Sequence, residues 1–260
     1  MNIIFFDIDG TLDDDEGVIP ASTVQAVRRT GERGALRVIN TGRPLRHIAP
    51  KVRALGFDGY ICSCGQLISL GGKVTKRHSL TEEQSRYIIA LAEKYRVDCY
   101  FESEDGCLFS FTHPMNALIK YQLKDFTERG LPLFFGFDCP GFIVDKFCFW
   151  TYGDSDERAF VNAISEYYNV IVRGEGVFEA VLKGFSKASG INEFLSLSGF
   201  TGAETYAIGD STNDIPMLEA VDHAIVMGGA PESVKRIAEY VTDTLENDGL
   251  YKALAHYELI

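Results

Sequence analysis

The sequence predicts an α/β fold, in which a mainly parallel sheet is interrupted by an inserted α+β region. Strand-like and helix-like segments alternate over the first 80 residues and again after residue 184. Such alternation implies crossover connections, which bring the strands together in parallel. The intervening stretch mixes helices with closely spaced strand pairs, as α+β modules do. We therefore predict a core made of residues 1–80 and 184–260, and an inserted domain made of residues 81–183.

The first half of the predicted core contains three strands and two helices. Asn2–Asp7 is an apolar strand, and Ser22–Glu32 is a helix opened by a serine or threonine cap. Leu36–Asn40 is a second apolar strand. A second helix is expected over Leu45–Leu55 and a short third strand over Gly59–Cys62.

The C-terminal part repeats this order. Helices are predicted at Ser186–Leu197, Asp214–Ala220, Pro231–Glu239 and Gly249–His256, and strands at Thr205–Ile208 and Ala224–Val226.

The inserted region begins with a capping-box pattern at Thr81–Gln84, which starts a helix that reaches Tyr95. The other elements expected there are strands at Val97–Glu102, Cys107–Phe111 and Asp145–Tyr152, helices at Pro114–Glu128 and Asp156–Tyr168, and a hairpin of Val170–Arg173 with Phe178–Leu182.

The composition limits the class of protein and of partner. The chain has 260 residues, 46% of them hydrophobic, and a formal net charge of −12. That charge argues against nucleic acid or an anionic membrane as a partner, since both require basic surfaces. The sequence shows neither a signal peptide nor a membrane span, so we expect a cytoplasmic protein with reduced cysteines. Cys62 and Cys64 form a CxC pair that is either a metal site or two ordinary thiols.

Six acidic residues follow the first predicted strand, between Asp7 and Glu16. Asp7 and Asp9, two positions apart at a strand end, could divide the work of a nucleophile or metal ligand and of a general acid and base. The alternative is an acidic turn whose carboxylates cap nearby N–H groups. Asp13 to Glu16 are expected to form the exposed turn of a small flap.

Two further segments offer contacts to an anion. Thr41 and Gly42 follow the second strand, where a hydroxyl and a backbone N–H can form an anion-binding corner, although Thr-Gly turns are common. Lys187 begins a predicted helix, where its charge opposes the helix dipole. Its side chain therefore either contacts an anion or extends into solvent.

The fourth segment of interest surrounds Asp210, which ends a predicted strand. Asn213 and Asp214 then begin a helix. Hard oxygen ligands in a loop suit Mg²⁺. Asp214 alone could instead be an ordinary first-turn acid that stabilises the helix dipole.

The order of these four motifs, each at a strand end or helix start, resembles the haloacid dehalogenase (HAD) superfamily, and most closely its Cof-type phosphatases. The matching segments are FFDIDGTLDDDEG, NTGRP, KGFSKASGI and YAIGDSTNDIPML. The resemblance covers essentially the whole chain. It implies a Rossmann-like core with a large inserted cap of the C2B kind, which would select the substrate.

The resemblance also implies roles for individual residues. Asp7 would be the nucleophile that forms an aspartyl-phosphate, and Asp9 would protonate the leaving oxygen and then deprotonate water. Phosphate-binding contacts would come from Thr41, Gly42, Lys187 and Asn213, and Mg²⁺ would be bound by Asp7, the backbone carbonyl of Asp9, Asp210 and Asp214. The expected partner is a small phosphorylated metabolite, and the expected assembly is a monomer or a weak homodimer.

Elementary electrostatics agrees with a bound cation. Two unit charges about 4 Å apart interact by roughly 4 kcal/mol at an effective dielectric of about 20. Four clustered aspartates would therefore repel one another strongly unless a divalent cation lay between them.

The sequence departs from the family pattern at two places. Cys64-Gly65 stands where Asn-Gly is common, so a thiol replaces the amide side chain of that asparagine. Lys187-Ala188 stands where Lys-Gly is usual, which should matter little inside a helix.

Several alternatives remain open at this point. The substrate could be a sugar phosphate or a ring cofactor such as flavin mononucleotide or pyridoxal phosphate, and a phosphomutase would use the same core. A dehalogenase would not need Asp9 as an acid. A phosphorylatable receiver module would be about half as long and would lack a cap. The aromatic residues of the inserted strands, from Phe101 to Trp150, are expected to be mostly its own core.

Overall fold

The computed structural model describes residues 1–14, 16–200 and 202–260. It divides into two compact units. The first consists of Met1–Arg43, Ile48–Arg77 and Phe185–Ile260, and the second of Pro44–His47 and His78–Gly184. The short segment Pro44–His47 therefore belongs to the second unit, which the sequence did not suggest.

The elements of both units follow one another along the chain. The strands are β1 (Asn2–Phe6), β2 (Leu36–Asn40), β3 (Gly59–Cys62), β4 (Leu67–Leu70), β5 (Lys73–Arg77), β6 (Asp98–Ser103), β7 (Gly106–Ser110), β8 (Leu133–Phe135), β9 (Lys146–Trp150), β10 (Tyr168–Gly174), β11 (Val177–Leu182), β12 (Glu204–Gly209), β13 (His223–Val226) and β14 (Tyr240–Val241). The α-helices are α1 (Ala21–Glu32), α2 (Pro50–Arg53), α3 (Glu82–Lys94), α4 (Ala117–Glu128), α5 (Glu157–Ile164), α6 (Lys187–Ser198), α7 (Ile215–Leu218), α8 (Glu232–Lys235) and α9 (Gly249–His256).

The first unit is built on an eight-stranded sheet with the order β14-β13-β12-β1-β2-β3-β4-β5. Its strands are parallel from β14 to β3, which confirms the predicted α/β class with a parallel core. In the register of β1, Phe6 lies opposite Ile39 of β2 and Ile208 of β12. The carboxyl ends of these three central strands therefore meet at one edge of the sheet.

The hairpin of β4 and β5 extends this sheet in the antiparallel direction and was not predicted. All five residues of β5, KVTKR, are exposed. An exposed edge strand does not need the apolar residues by which strands are recognised in a sequence.

One hydrophobic cluster of the first unit lies between the sheet and helices α6 and α7. Ile3, Phe5, Val38 and Ile61 are fully buried there. Phe194 of α6 meets Phe5 edge to face, with ring centroids 5.9 Å apart. This packing holds the N-terminus of α6 near the carboxyl ends of the strands.

The single helix predicted over Leu45–Leu55 is wrong. The structure has a 3-10 turn at Leu45–His47 and then the short helix α2. Pro50 is the first residue of α2, where its missing N–H is tolerated, but it could not donate a bond inside a longer helix. The helix predicted at Pro231–Glu239 is also shorter in the structure, where α8 covers only Glu232–Lys235.

The second unit contains a six-stranded sheet with the order β10-β11-β9-β6-β7-β8. Its pairs are antiparallel except β7 with β8. The predicted strand pair, now β6 and β7, and the closing hairpin, now β10 and β11, are confirmed. The predicted capping box is also present, because Thr81 Oγ1 accepts from Gln84 N and Gln84 Oε1 accepts from Thr81 N.

Most of the aromatic residues of these strands are core residues, as expected. Phe101, Phe147 and Phe149 are fully buried, and Phe160 of α5 packs against the last two. The helix predicted over Asp156–Tyr168 ends earlier, at Ile164, and Tyr168 begins β10. Over the described parts of the chain, no helix has the length and apolar character needed to cross a membrane.

Candidate active site

Three carboxylates converge at the edge where β1 and β12 end. The backbone N–H of Asp7 donates to Ile208 O at 3.0 Å, so Asp7 leaves the sheet beside the end of β12. One carboxylate oxygen from each of Asp7, Asp210 and Asp214 lies within 4.8 Å of the others. Residues separated by about 200 positions in the sequence thus form one acidic cluster.

Lys187 joins this cluster from the first turn of α6. Its side chain is buried, its Nζ lies 2.5 Å from Asp7 Oδ1, and it also forms an ion pair with Asp214 Oδ1. Asn40, at the end of β2, donates to the backbone carbonyl of Lys187 at 3.0 Å. The structure therefore excludes the alternative in which Lys187 extends into solvent.

Asp214 is shared between the lysine and the backbone of its own turn. Its Oδ2 accepts from the N–H groups of Asp210 and Ser211, at 3.0 and 2.9 Å. A Cβ on Gly209 would lie 2.6 Å from Asp214 Cγ, so a side chain at that position would displace the carboxylate. The Gly-Asp and Asn-Asp pairs of the motif are thus close together because the turn folds back on itself.

Burial and mutual repulsion make this cluster costly without a cation. Burial, together with the charge of Asp214, raises the pKa of Asp7 well above its usual range. The same two causes raise the pKa of Asp210 to about 7. Burial opposes the charge of Lys187, but Asp214 and Asp7 outweigh it and raise the pKa of the lysine. The site therefore favours a bound cation or proton over three free carboxylates.

The donor set fits Mg²⁺, which prefers hard oxygen ligands. Asp210 Oδ1 is buried and has no hydrogen-bond partner among the described residues. Gly10, with a φ of +75°, brings the backbone against the same carboxylate, since a Cβ there would lie 2.4 Å from Asp210 Oδ2. Gly10 and Asp210 also border a cavity of about 370 Å³, so a hydrated ion has room beside them.

Asp9 lies outside the three-carboxylate cluster. Its side chain is 60% exposed and forms an ion pair with Arg43, whose Nε donates to Asp9 Oδ2 at 3.1 Å and whose Nη2 contacts Oδ1. Arg43 lies in the NTGRP segment, but no role for it was predicted from the sequence. The only signal was its position directly after the Thr-Gly corner.

Thr41, Gly42 and Asn213 lie on this edge of the first unit. Thr41 is buried at the end of β2, and its Oγ1 accepts from Arg43 N at 3.2 Å. Gly42 is partly exposed. Asn213, also partly exposed, accepts a hydrogen bond from the Ser211 hydroxyl. The side chain of Asn213 is therefore held by the same turn that positions Asp214.

The expectation that Asp13 to Glu16 form an exposed turn is wrong for Asp13, which is 2% exposed. The N–H groups of Thr11, Leu12 and Asp13 all point to Ile8 O, at 2.8 to 3.2 Å. This tight turn draws Asp13 inward. Asp14 Oδ1 accepts from Glu16 N and Val18 N, Glu16 is exposed, and Asp15 lies outside the described residues.

The unusual Cys64-Gly65 pair occupies a strained turn after β3. Cys64 has a φ of 55°, in the left-handed region where asparagine and glycine are most easily accommodated. A Cβ on Gly65 would lie 2.4 Å from Ser186 O, so only glycine allows this turn to pack against the start of α6. The thiols of Cys62 and Cys64 are buried. Among the described residues, the only cluster with three potential metal ligands is the aspartate cluster.

Known proteins resemble this chain over nearly its whole length. The model of the haloacid dehalogenase-like hydrolases matches residues 4–254. YkrA of Bacillus subtilis, provisionally designated a phosphatase, is 29% identical over 99% of this chain and 98% of its own. The 5-amino-6-(5-phospho-D-ribitylamino)uracil phosphatase YcsE of the same organism is 26% identical over 100% and 96%. The solved structure of the HAD subclass IIB sugar phosphatase BT4131 matches with a TM-score of 0.81 and 29% identity, covering 100% of both chains.

The family match spans almost the whole chain and includes both halves of the acidic cluster. It confirms the resemblance drawn from the four motifs. The protein is therefore an enzyme of the haloacid dehalogenase-like hydrolase family, of its phosphatase type.

Proposed function

We propose that the protein is a Mg²⁺-dependent phosphatase that hydrolyses small phosphomonoesters, such as sugar phosphates, through an aspartyl-phosphate on Asp7. The observation that carries this proposal is the placement of Asp7. It ends the central strand with Lys187 2.5 Å from one oxygen and with Asp210 and Asp214 beside it. A nucleophilic carboxylate surrounded by cation-binding groups suits attack on a phosphate dianion.

In the first step, a carboxylate oxygen of Asp7 forms a bond to phosphorus while the bond from phosphorus to the leaving oxygen breaks. The Asp9 carboxyl group gives its proton to that leaving oxygen. In the second step, Asp9 takes a proton from water, whose oxygen attacks phosphorus and releases Asp7 and inorganic phosphate. Lys187, Thr41 and the Gly42 N–H would hold the phosphoryl oxygens, with Asn213 in support.

Asp7, Asp210, Asp214 and the Asp9 carbonyl would hold Mg²⁺. The ion would supply positive charge for the transferring phosphoryl group. The first unit would supply the catalytic residues, and the inserted domain, residues 81–183, would select the substrate. We further infer a cytoplasmic enzyme, a monomer or weak homodimer, that acts on small metabolites and not on nucleic acid or membranes.

The relatives support small organic phosphates as substrates. BT4131 is described as a sugar phosphatase. The name of YcsE gives a substrate in which a uracil ring carries a phosphorylated ribityl chain. That second relative also favours the alternative of a ring-bearing substrate, such as flavin mononucleotide or pyridoxal phosphate, for the present enzyme.

The test is phosphate release from p-nitrophenyl phosphate, with Mg²⁺ and with EDTA, followed by a panel of sugar and cofactor phosphates. Asp7→Asn should abolish release. Asp222→Asn is the control, because Asp222 accepts from Thr205 at the opposite end of β12 and should leave the rate unchanged. Full activity in the Asp7 variant, or equal activity in EDTA, would contradict the mechanism. Transfer of the phosphoryl group to a sugar hydroxyl in place of water would indicate a phosphomutase. A stable phosphoprotein that does not turn over would indicate a receiver module.

A further inference from the structure

The segment Pro44–His47 belongs to the second unit, although it directly follows Thr41, Gly42 and Arg43 of the first. Glu104, in the turn between β6 and β7, holds the start of this segment. Its Oε1 accepts from Leu45 N at 2.6 Å and its Oε2 accepts from Arg46 N at 3.2 Å. Two hydrogen bonds from backbone N–H groups to one charged carboxylate hold the chain more firmly than a single hydrogen bond between neutral groups.

The end of the segment is held as well. The His47 side chain is buried, and its Nδ1 lies 3.4 Å from Glu102 Oε2. Arg129 Nη1 donates to His47 O at 3.1 Å. The ring of His47 packs against Phe126, with centroids 5.5 Å apart. Side chains of the second unit thus anchor these four residues at both ends.

On the other side of the Arg43–Pro44 peptide bond, the guanidinium of Arg43 holds the Asp9 carboxylate through two nitrogens. Proline fixes its own φ and restricts the conformation of the residue before it. Pro44 therefore limits the backbone rotations between the anchored segment and Arg43. Only Pro44 separates Leu45 from Arg43, so a displacement of Leu45 would shift the backbone of the arginine that pairs with Asp9.

We propose that Glu104 is a positioning residue: by holding Leu45 and Arg46, it sets the position of Arg43 and thereby of the Asp9 side chain. The proposal rests on the function proposed above, in which Asp9 protonates the leaving oxygen. It assigns to the second unit a part in the chemistry that is separate from the choice of substrate.

The dependence on the leaving group separates positioning of Asp9 from general damage to the fold. p-Nitrophenolate leaves with little help from an acid, whereas the alkoxide of glycerol 2-phosphate needs a proton. Glu104→Gln loses the charge and one acceptor oxygen. This variant should lower kcat/KM for glycerol 2-phosphate by about tenfold or more, since small misplacements of catalytic groups have effects of this size. Its kcat/KM for p-nitrophenyl phosphate should fall far less. Glu104→Asp should be intermediate.

Glu82→Gln is the matched control, because Glu82 also accepts a backbone N–H within the second unit, from Gly141 at 3.1 Å, but does not contact Pro44–His47. It should leave both substrates at wild-type rates. Equal losses on the two substrates in Glu104→Gln, or the same pattern in Glu82→Gln, would overturn the proposal.

A second measurement does not depend on activity. Amide hydrogen exchange of a peptide covering residues 41–47 should be faster in Glu104→Gln than in the wild type and in Glu82→Gln. Unchanged exchange would overturn the proposal even if the enzyme released no phosphate. Absence of phosphate release from the wild type, with faster exchange in the variant, would instead refute the proposed function and leave the anchoring role of Glu104 supported.

Discussion

Replacing Lys187 by methionine removes the one basic side chain found to pair with both Asp7 and Asp214 in the described part of the chain. Methionine keeps much of the volume of the side chain but not its charge. Lys187 and Asp214 are almost completely buried and Asp7 is 4% exposed. Removing one partner of a buried ion pair costs about 3–5 kcal/mol, because the remaining charge is left uncompensated. We expect the free energy of unfolding to fall by this amount at pH 8 in EDTA, because the high pH keeps protons from neutralising the carboxylates.

Mg²⁺ should reverse part of this loss, since a divalent cation among the same carboxylates replaces the missing charge. The measurement is urea unfolding of wild type and Lys187→Met, each with EDTA and with Mg²⁺. Lys76→Met is the control, because Lys76 forms a partly exposed pair with Glu193 at 3.9 Å, and such pairs contribute about 0–1 kcal/mol. A loss of less than about 1 kcal/mol in EDTA, or no response to Mg²⁺, would refute the electrostatic account of the site.

Three other predictions follow from local geometry and charge. Gly10→Ala should raise the Mg²⁺ concentration needed for half-maximal activity by about tenfold or more, because its Cβ would displace the Asp210 carboxylate. Gly34→Ala should leave that concentration unchanged, because Gly34 has a similar positive φ but open space around it. Burial alone would raise the pKa of Glu179, but the charges of Lys146 and Arg173 outweigh it and lower this pKa to about 2. Glu179→Gln should therefore lower the free energy of unfolding by about 3 kcal/mol at pH 7. This contribution is present above the usual value of 4.5 and is lost as the pH falls towards 2, so the difference in urea unfolding should narrow at pH 3. Burial lowers the pKa of His223, but hydrogen bonds to two glutamates outweigh it and raise that pKa above 6.5. His223 should therefore stabilise the fold below pH 6.5 and lose that effect as the pH rises through its higher folded pKa. The pH dependence of the thermal midpoint between pH 6 and 8 should therefore be weaker in His223→Gln.

Much of the fold was predictable because its signals are local. The apolar strands β1, β2 and β3 stand next to their turns in the sequence, and the capping box of α3 involves residues three positions apart. The hairpin of β4 and β5 escaped prediction because β5 is exposed and polar. The helix predicted over Leu45–Leu55 failed because tertiary anchoring and Pro50 divide it into a 3-10 turn and α2.

The α/β class could be predicted from the sequence alone, as could the positions of Asp7, Lys187, Asp210 and Asp214 at strand ends and helix starts. Strand periodicity and turn residues are properties of neighbouring positions, and parallel strands must then bring their ends together. Three features became visible only in the folded chain: Asp9 pairs with Arg43, Asp13 is buried, and Pro44–His47 belongs to the second unit. These features depend on which side chains meet across the fold, and no local pattern in the sequence specifies such a meeting.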